Sequence, residues 1–78
     1  MQPLVLVVDD EPSIRQTLSG ILEDENLGVI CAADGVEAVE MARDMKPDLV
    51  FLDVWMPGPD GIETLSKIKE VSPDSEVV

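Results

Sequence analysis

Two segments of the chain repeat one pattern, and this repeat constrains the fold more than any other feature. The first reads DGVEAVEMARDMKPD from Asp34, and the second reads DGIETLSKIKEVSPD from Asp60. In each segment the aspartate can cap a helix, the glutamate three residues later can reach back to it, and the Pro-Asp pair ends the helix. An apolar run suited to a strand follows each copy. The sequence therefore predicts one strand-helix (βα) unit used twice, with the start of a further strand after the second copy.

A differently patterned unit precedes the repeat. The run from Leu4 to Val8 is short, apolar and rich in β-branched residues, which predicts a strand buried on both faces. Pro12 suits the first turn of a helix, which the pattern extends to about Glu25. The apolar stripe of this helix consists of Ile14, Leu18, Ile21 and Leu22. Further strands are predicted over 29–33, over 49–52 and in the final SEVV.

Strands that alternate with helices are typical of an α/β fold with a parallel sheet and right-handed crossovers. The length of 78 residues allows one small domain, 1–78. In such sheets ligands bind beyond the carboxyl ends of the strands. The residues that follow the predicted strands are therefore the first candidates for a functional site.

Charge and composition exclude several functions. The chain has 17 acidic and 5 basic residues and a net charge of −12, which argues against direct binding of nucleic acid or of an anionic membrane. No apolar run approaches the roughly 18 residues of a membrane span. The single cysteine, Cys31, allows no internal disulfide. It is expected to be a buried apolar side chain in a protein of the reducing cytoplasm.

Three aspartates stand at predicted strand ends. Asp9 and Asp10 end the first strand, and Asp53 ends the third. If these strands are neighbours, the carboxylates meet at one rim and repel one another unless a hard divalent cation lies among them. Mg²⁺, which prefers oxygen ligands, is the expected ion. Alternatively, the Asp9-Asp10 pair caps the helix that follows and interacts with its dipole.

The segments VLVVDDEPSIR and DLVFLDVWMPGPDGIETL resemble the receiver domain of bacterial response regulators, the phosphoacceptor half of two-component signalling. The acidic pair, the strand-end aspartate and the Met-Pro-x-x-Asp-Gly turn occur in the family's order, and the resemblance covers the whole chain. It implies a flavodoxin-like parallel sheet of order 2-1-3-4. It also implies a signalling domain rather than an enzyme. The segment LDVWMPGPDGIETL is similar to the corresponding segment of regulators that activate transcription with the sigma-54 factor.

The resemblance also implies residue roles. Asp53 would accept a phosphoryl group from a sensor histidine kinase. Asp10 would bind Mg²⁺ directly and Asp9 through a water, with the main-chain carbonyl of Trp55 as a further ligand. The parent protein would carry a C-terminal effector domain.

Receiver domains also carry a Ser or Thr after the fourth strand and a Lys after the fifth. The 78 residues end inside the predicted fourth strand, which suggests a truncated receiver with an uncovered apolar sheet face and a tendency to self-associate. Two other functions remain open. One is a Mg²⁺-dependent hydrolase with an acidic site of the same kind, and the other is an inactive module that only assembles with copies of itself.

Overall fold

The computed structural model describes residues 2–52 and 61–77. Strands and helices alternate as the sequence predicts, and most bounds agree within one residue. The elements are β1 (Leu4–Val8), α1 (Pro12–Asp24), β2 (Gly28–Ala32), α2 (Gly35–Met45), β3 (Leu49–Leu52), α3 (Gly61–Val71) and β4 (Glu76–Val77). None of the helices in these ranges is long and apolar enough to cross a membrane.

The strands form one parallel sheet in the order β2-β1-β3-β4. This confirms the flavodoxin-like α/β architecture. The order places β1 between β2 and β3, so its continuous apolar sequence fits a strand covered on both faces. Where β1 and β3 begin, the Asp48 carboxylate accepts a hydrogen bond of 2.8 Å from Leu4 N. The Pro-Asp pair thus ties the start of β3 to the start of β1.

The main core lies between the sheet and helices α2 and α3. Leu6, Val8 and Val50 from the sheet are fully buried there, and they belong to one cluster with residues of both helices. Ala42 and Ile68, which occupy the same position in the two repeat copies, are each 0% exposed. Burial of a side chain the size of Ile68 contributes about 1.5 to 3 kcal/mol. The repeat therefore corresponds to two helices that use the same position to cover the sheet.

Gly35 explains why the repeat begins with Asp-Gly in its first copy. A β-carbon added at Gly35 would overlap the Oγ1 atom of Thr64, a side chain that is 1% exposed on α3. The preceding residue, Asp34, caps α2, because its Oδ1 accepts a hydrogen bond of 2.8 Å from Glu37 N. Asp34 therefore starts the helix, and Gly35 lets it approach α3 closely.

Helix α1 covers the other face of the sheet only in part. No residue of α1 is buried, and Ile14 and Ile21 of its apolar stripe are 43% and 56% exposed. Cys31 was expected to be buried, but it is only half-buried, with its Sγ atom 3.2 Å from Ser19 Oγ of α1. The prediction of burial is wrong because β2 is an edge strand, which has a neighbour on one side only.

The uncovered apolar sheet face expected from the sequence is smaller than predicted. Val5 and Val7 of β1 alternate with the core residues, and each is 1% exposed, so the prediction is wrong for β1. Their register partners on β3, Leu49 and Phe51, are half-buried. The partial exposure on this face is thus found on β3 and α1 rather than on β1.

Candidate metal centre

The candidate site lies where β1 and β3 end. Val8 is the register partner of both Ala32 on β2 and Leu52 on β3. Val8 directly precedes Asp9 in the chain, and Leu52 directly precedes Asp53. Two strands that run parallel and in register deliver the next residue of each to the same edge of the sheet. The strands that carry the acidic residues are therefore neighbours, as the sequence-based hypothesis required.

Asp9 is fixed by three hydrogen bonds. Its main-chain N–H donates to Ala32 O over 3.2 Å, which extends the β1–β2 pairing by one residue. Its Oδ1 atom accepts a hydrogen bond of 2.9 Å from Glu11 N. Its main-chain carbonyl accepts one of 2.6 Å from Nη1 of Arg15. These hydrogen bonds hold the main chain and one carboxylate oxygen of Asp9 in place at the end of β1. The residue is half-buried.

The alternative that the acidic pair caps α1 is not supported for Asp9. The residue before α1 is Glu11, and its side chain makes no capping hydrogen bond. The Asp9 carboxylate bonds to the N–H of Glu11, two residues on, which forms an Asx turn before the helix. Asp10, inside this turn, is exposed. No hydrogen bond between described residues uses its carboxylate.

Asp53 and Trp55 lie outside the described residues, as do Met56 and Pro57 of the predicted turn. Consistently, residues 2–52 and 61–77 contain no group of three Asp, Glu, His or Cys side chains that could hold a metal. Asp9 and Asp10 supply oxygen donors alone, which are the ligands that Mg²⁺ prefers. The chemistry of the described donors therefore fits Mg²⁺, while their grouping with Asp53 stays a prediction.

Sequence reasoning missed Arg15. Arg15 lies outside the apolar stripe of α1 and received no predicted role, whereas its guanidinium reaches back to the carbonyl of Asp9. The signal was an arginine in the first turns of a helix that directly follows an acidic pair.

Comparisons with known proteins identify the family of this chain. The family model for the response regulator receiver domain matches residues 5–78. The chemotaxis protein CheY of Halobacterium salinarum is 45% identical over 78 residues, which are the whole of this chain and 65% of that protein. The nitrogen assimilation regulatory protein NtrX of Azorhizobium caulinodans is 42% identical over 95% of this chain. The chain spans 65% of the length of CheY and 17% of the length of NtrX.

Solved structures show the same fold. The receiver domain of NtrC4 from Aquifex aeolicus superposes with a TM-score of 0.86 at 44% identity and covers 99% of this chain and 64% of that one. The response regulator TrrA from Thermotoga maritima, solved in complex with Mg²⁺-BeF, gives a TM-score of 0.89 at 37% identity. That alignment covers 97% of this chain and 66% of that one. The chain belongs to the response regulator receiver domain family and is a receiver domain of two-component signalling.

Proposed function

We propose that Asp53 is the phosphoacceptor of this receiver domain, and that Asp9, Asp10, Asp53 and the main-chain carbonyl of Trp55 hold Mg²⁺. The observation that carries the proposal is the register of β1 and β3. Val8 and Leu52 are partners in that register, and each directly precedes an aspartate. The match of the receiver family model over residues 5–78 supports the same assignment.

The proposed reaction is a phosphoryl transfer to a carboxylate. An oxygen of Asp53 attacks the phosphorus atom of the donor, and a new P–O bond forms. The P–N bond of a phosphohistidine, or the P–O bond of a small acyl phosphate, breaks, and its electron pair leaves with the donor. The product is an aspartyl phosphate, which water can later hydrolyse. Most of the catalysis in such transfers comes from positioning and charge stabilisation.

The acidic residues create the need for a cation. A carboxylate and an anionic phosphoryl group repel each other, and Asp9 and Asp10 add further negative charge at the same edge of the sheet. When bound, Mg²⁺ would neutralise this charge and orient the phosphoryl oxygens. The N–H of Glu11 holds one carboxylate oxygen of Asp9 in place, and the carboxylate of Asp10 is open to solvent.

The proposed partners follow from the family. A sensor histidine kinase would supply the phosphoryl group, and the parent protein would carry an effector domain after the receiver. Relatives include the alkaline phosphatase synthesis transcriptional regulator PhoP of Bacillus subtilis, of which the chain covers 29%. The relation to sigma-54 regulators stays a prediction, because the relatives also include a chemotaxis protein.

Intact mass spectrometry tests the proposal. The chain is incubated with a small acyl phosphate and Mg²⁺, alongside the Asp53→Asn variant. Asp44→Asn serves as the matched control, because Asp44 is an exposed aspartate on α2. We expect one phosphoryl adduct in the wild type and in the control, and none in Asp53→Asn or without Mg²⁺.

Two results would contradict the proposal. An adduct that persists in Asp53→Asn would place the acceptor elsewhere. The absence of an adduct in a folded, Mg²⁺-bound wild type would favour the inactive assembly module. Release of inorganic phosphate from simple phosphate esters, with no adduct at any time, would favour the hydrolase.

A further inference from the structure

Arg15 contacts the acidic turn through the main chain of Asp9. It lies in the first turns of α1 and is half-buried. Its Nη1 atom donates a hydrogen bond of 2.6 Å to the main-chain carbonyl of Asp9, and its own N–H donates to Glu11 O over 3.2 Å. The side chain and the backbone of Arg15 therefore hold the two ends of the segment that contains Asp10.

Arg15 bonds to a main-chain carbonyl, whereas the ion-paired cations in the described part of the chain bond to carboxylates. Arg43 pairs with Asp44, and Lys67 pairs with Glu63, all on exposed positions of α2 and α3. No ion pair among the described residues includes Arg15. A charged donor to a carbonyl makes a stronger hydrogen bond than a neutral one. The charged group of Arg15 thus donates its hydrogen bond to the backbone of the acidic turn.

We propose that Arg15 is a positioning residue for the divalent metal site, an inference that rests on the proposed function of Asp9 and Asp10. It anchors the Asp9 carbonyl, while Glu11 N anchors Asp9 Oδ1. The turn between these anchors carries the exposed Asp10 carboxylate. With both ends of the turn fixed, Asp10 is presented to the metal without the entropy loss of ordering a free loop.

Positioning and charge repulsion by Arg15 predict opposite changes in Mg²⁺ affinity when Arg15 is removed. A positive charge next to a cation site repels the incoming cation, so removal of Arg15 would raise Mg²⁺ affinity if charge alone mattered. If Arg15 acts by positioning, its removal lowers the affinity, because the Asp9-Asp10 turn loses an anchor. The direction of the change therefore separates the two roles.

Calorimetric Mg²⁺ titration of the folded chain provides the test. Arg15→Gln is expected to weaken Mg²⁺ binding about tenfold, the size typical of residues that orient metal ligands. Arg15→Lys keeps a charged donor and is expected to restore most of the affinity. Arg43→Gln, which removes the same charge from an exposed position on α2, is expected to leave binding unchanged.

Amide spectra give a second readout that a merely structural residue would not move. In the metal-free Arg15→Gln variant, shifts are expected at Asp9, Asp10 and Glu11, with the core signals unchanged. Equal or higher Mg²⁺ affinity in Arg15→Gln would overturn the inference about Arg15 alone. A wild type that binds no Mg²⁺ would instead overturn the proposed metal site itself.

Discussion

At the scale of single residues, the two adjacent aspartates differ in their surroundings. Asp9 is half-buried, and one of its carboxylate oxygens already accepts the N–H of Glu11. Asp10 is exposed, and none of the hydrogen bonds between described residues uses its carboxylate. One oxygen of Asp9 is thus engaged in the turn, whereas both oxygens of Asp10 are exposed.

This difference predicts unequal losses of Mg²⁺ binding. Asp10→Ala is expected to remove measurable binding, because it deletes the proposed direct ligand. Asp9→Ala is expected to weaken binding about tenfold, as for a residue that acts through an intervening water or through ligand orientation. Calorimetric titration measures both, with Asp44→Ala as a control for the loss of one exposed charge. Equal losses in the two variants would contradict the assignment.

At the scale of helices and strands, the packing of α2 against α3 depends on the absence of a side chain at Gly35. The Oγ1 atom of Thr64 occupies the place of a β-carbon. Thr64 is β-branched and 1% exposed, so its side chain has little freedom to move aside. This contact fixes how closely the two repeat copies approach each other.

Gly35→Ala is therefore expected to lower the free energy of unfolding by about 1 to 3 kcal/mol, the usual cost of overpacking. Thr64→Ala removes the overlapping atom. Adding Gly35→Ala to the Thr64→Ala variant should therefore lower the free energy of unfolding much less than it does in the wild type. Gly20→Ala is the matched control, because no atom lies within 4 Å of its added β-carbon. In this exposed helix position the change is expected to stabilise by about 0.5 to 1 kcal/mol. Denaturant unfolding measures the wild type, the three single variants and the Gly35→Ala/Thr64→Ala double variant, and equal costs of Gly35→Ala in both backgrounds would refute the contact.

The strands and helices could be predicted from the sequence because each leaves a local pattern. The run Leu4–Val8 and the Asp34 cap were both identified correctly. Contacts between distant elements could not be predicted in the same way. The overlap at Gly35 requires the position of Thr64 in space. The expected strand order already placed β2 at an edge, but the burial of Cys31 was predicted from its residue type alone. The contact of Arg15 with Asp9 depends on how α1 leaves the sheet, which no periodicity encodes.

At the scale of the whole molecule, apolar surface and negative charge oppose each other. Ile14 and Ile21 lie seven residues apart on α1, hence on one face, and both are largely exposed. The strands β2 and β4 are the edges of the described sheet. The net charge of −12 makes two copies repel. Association of the 78-residue chain should therefore depend on ionic conditions.

We expect this chain to self-associate, with a two-fold dimer as the simplest closed form, and to do so more strongly in salt or Mg²⁺. Size exclusion with light scattering measures the mass. Ile14→Ser and Ile21→Ser are expected to favour the monomer, whereas Val36→Ser, an exposed apolar position on α2, should have no effect. A folded monomer of 8.5 kDa at high concentration in moderate salt would contradict this expectation.

The central claim is that Asp53 joins Asp9 and Asp10 in one Mg²⁺ site, and calorimetric Mg²⁺ titration of Asp53→Asn tests it most directly. This variant keeps the whole acidic turn and removes only the carboxylate expected from β3. If the three carboxylates share one ion, wild type binds a single Mg²⁺ and Asp53→Asn binds it at least about tenfold more weakly. Asp34→Asn, which keeps a capping side chain on α2, should bind as the wild type does. Unchanged affinity in Asp53→Asn would show that Asp53 does not belong to the metal site.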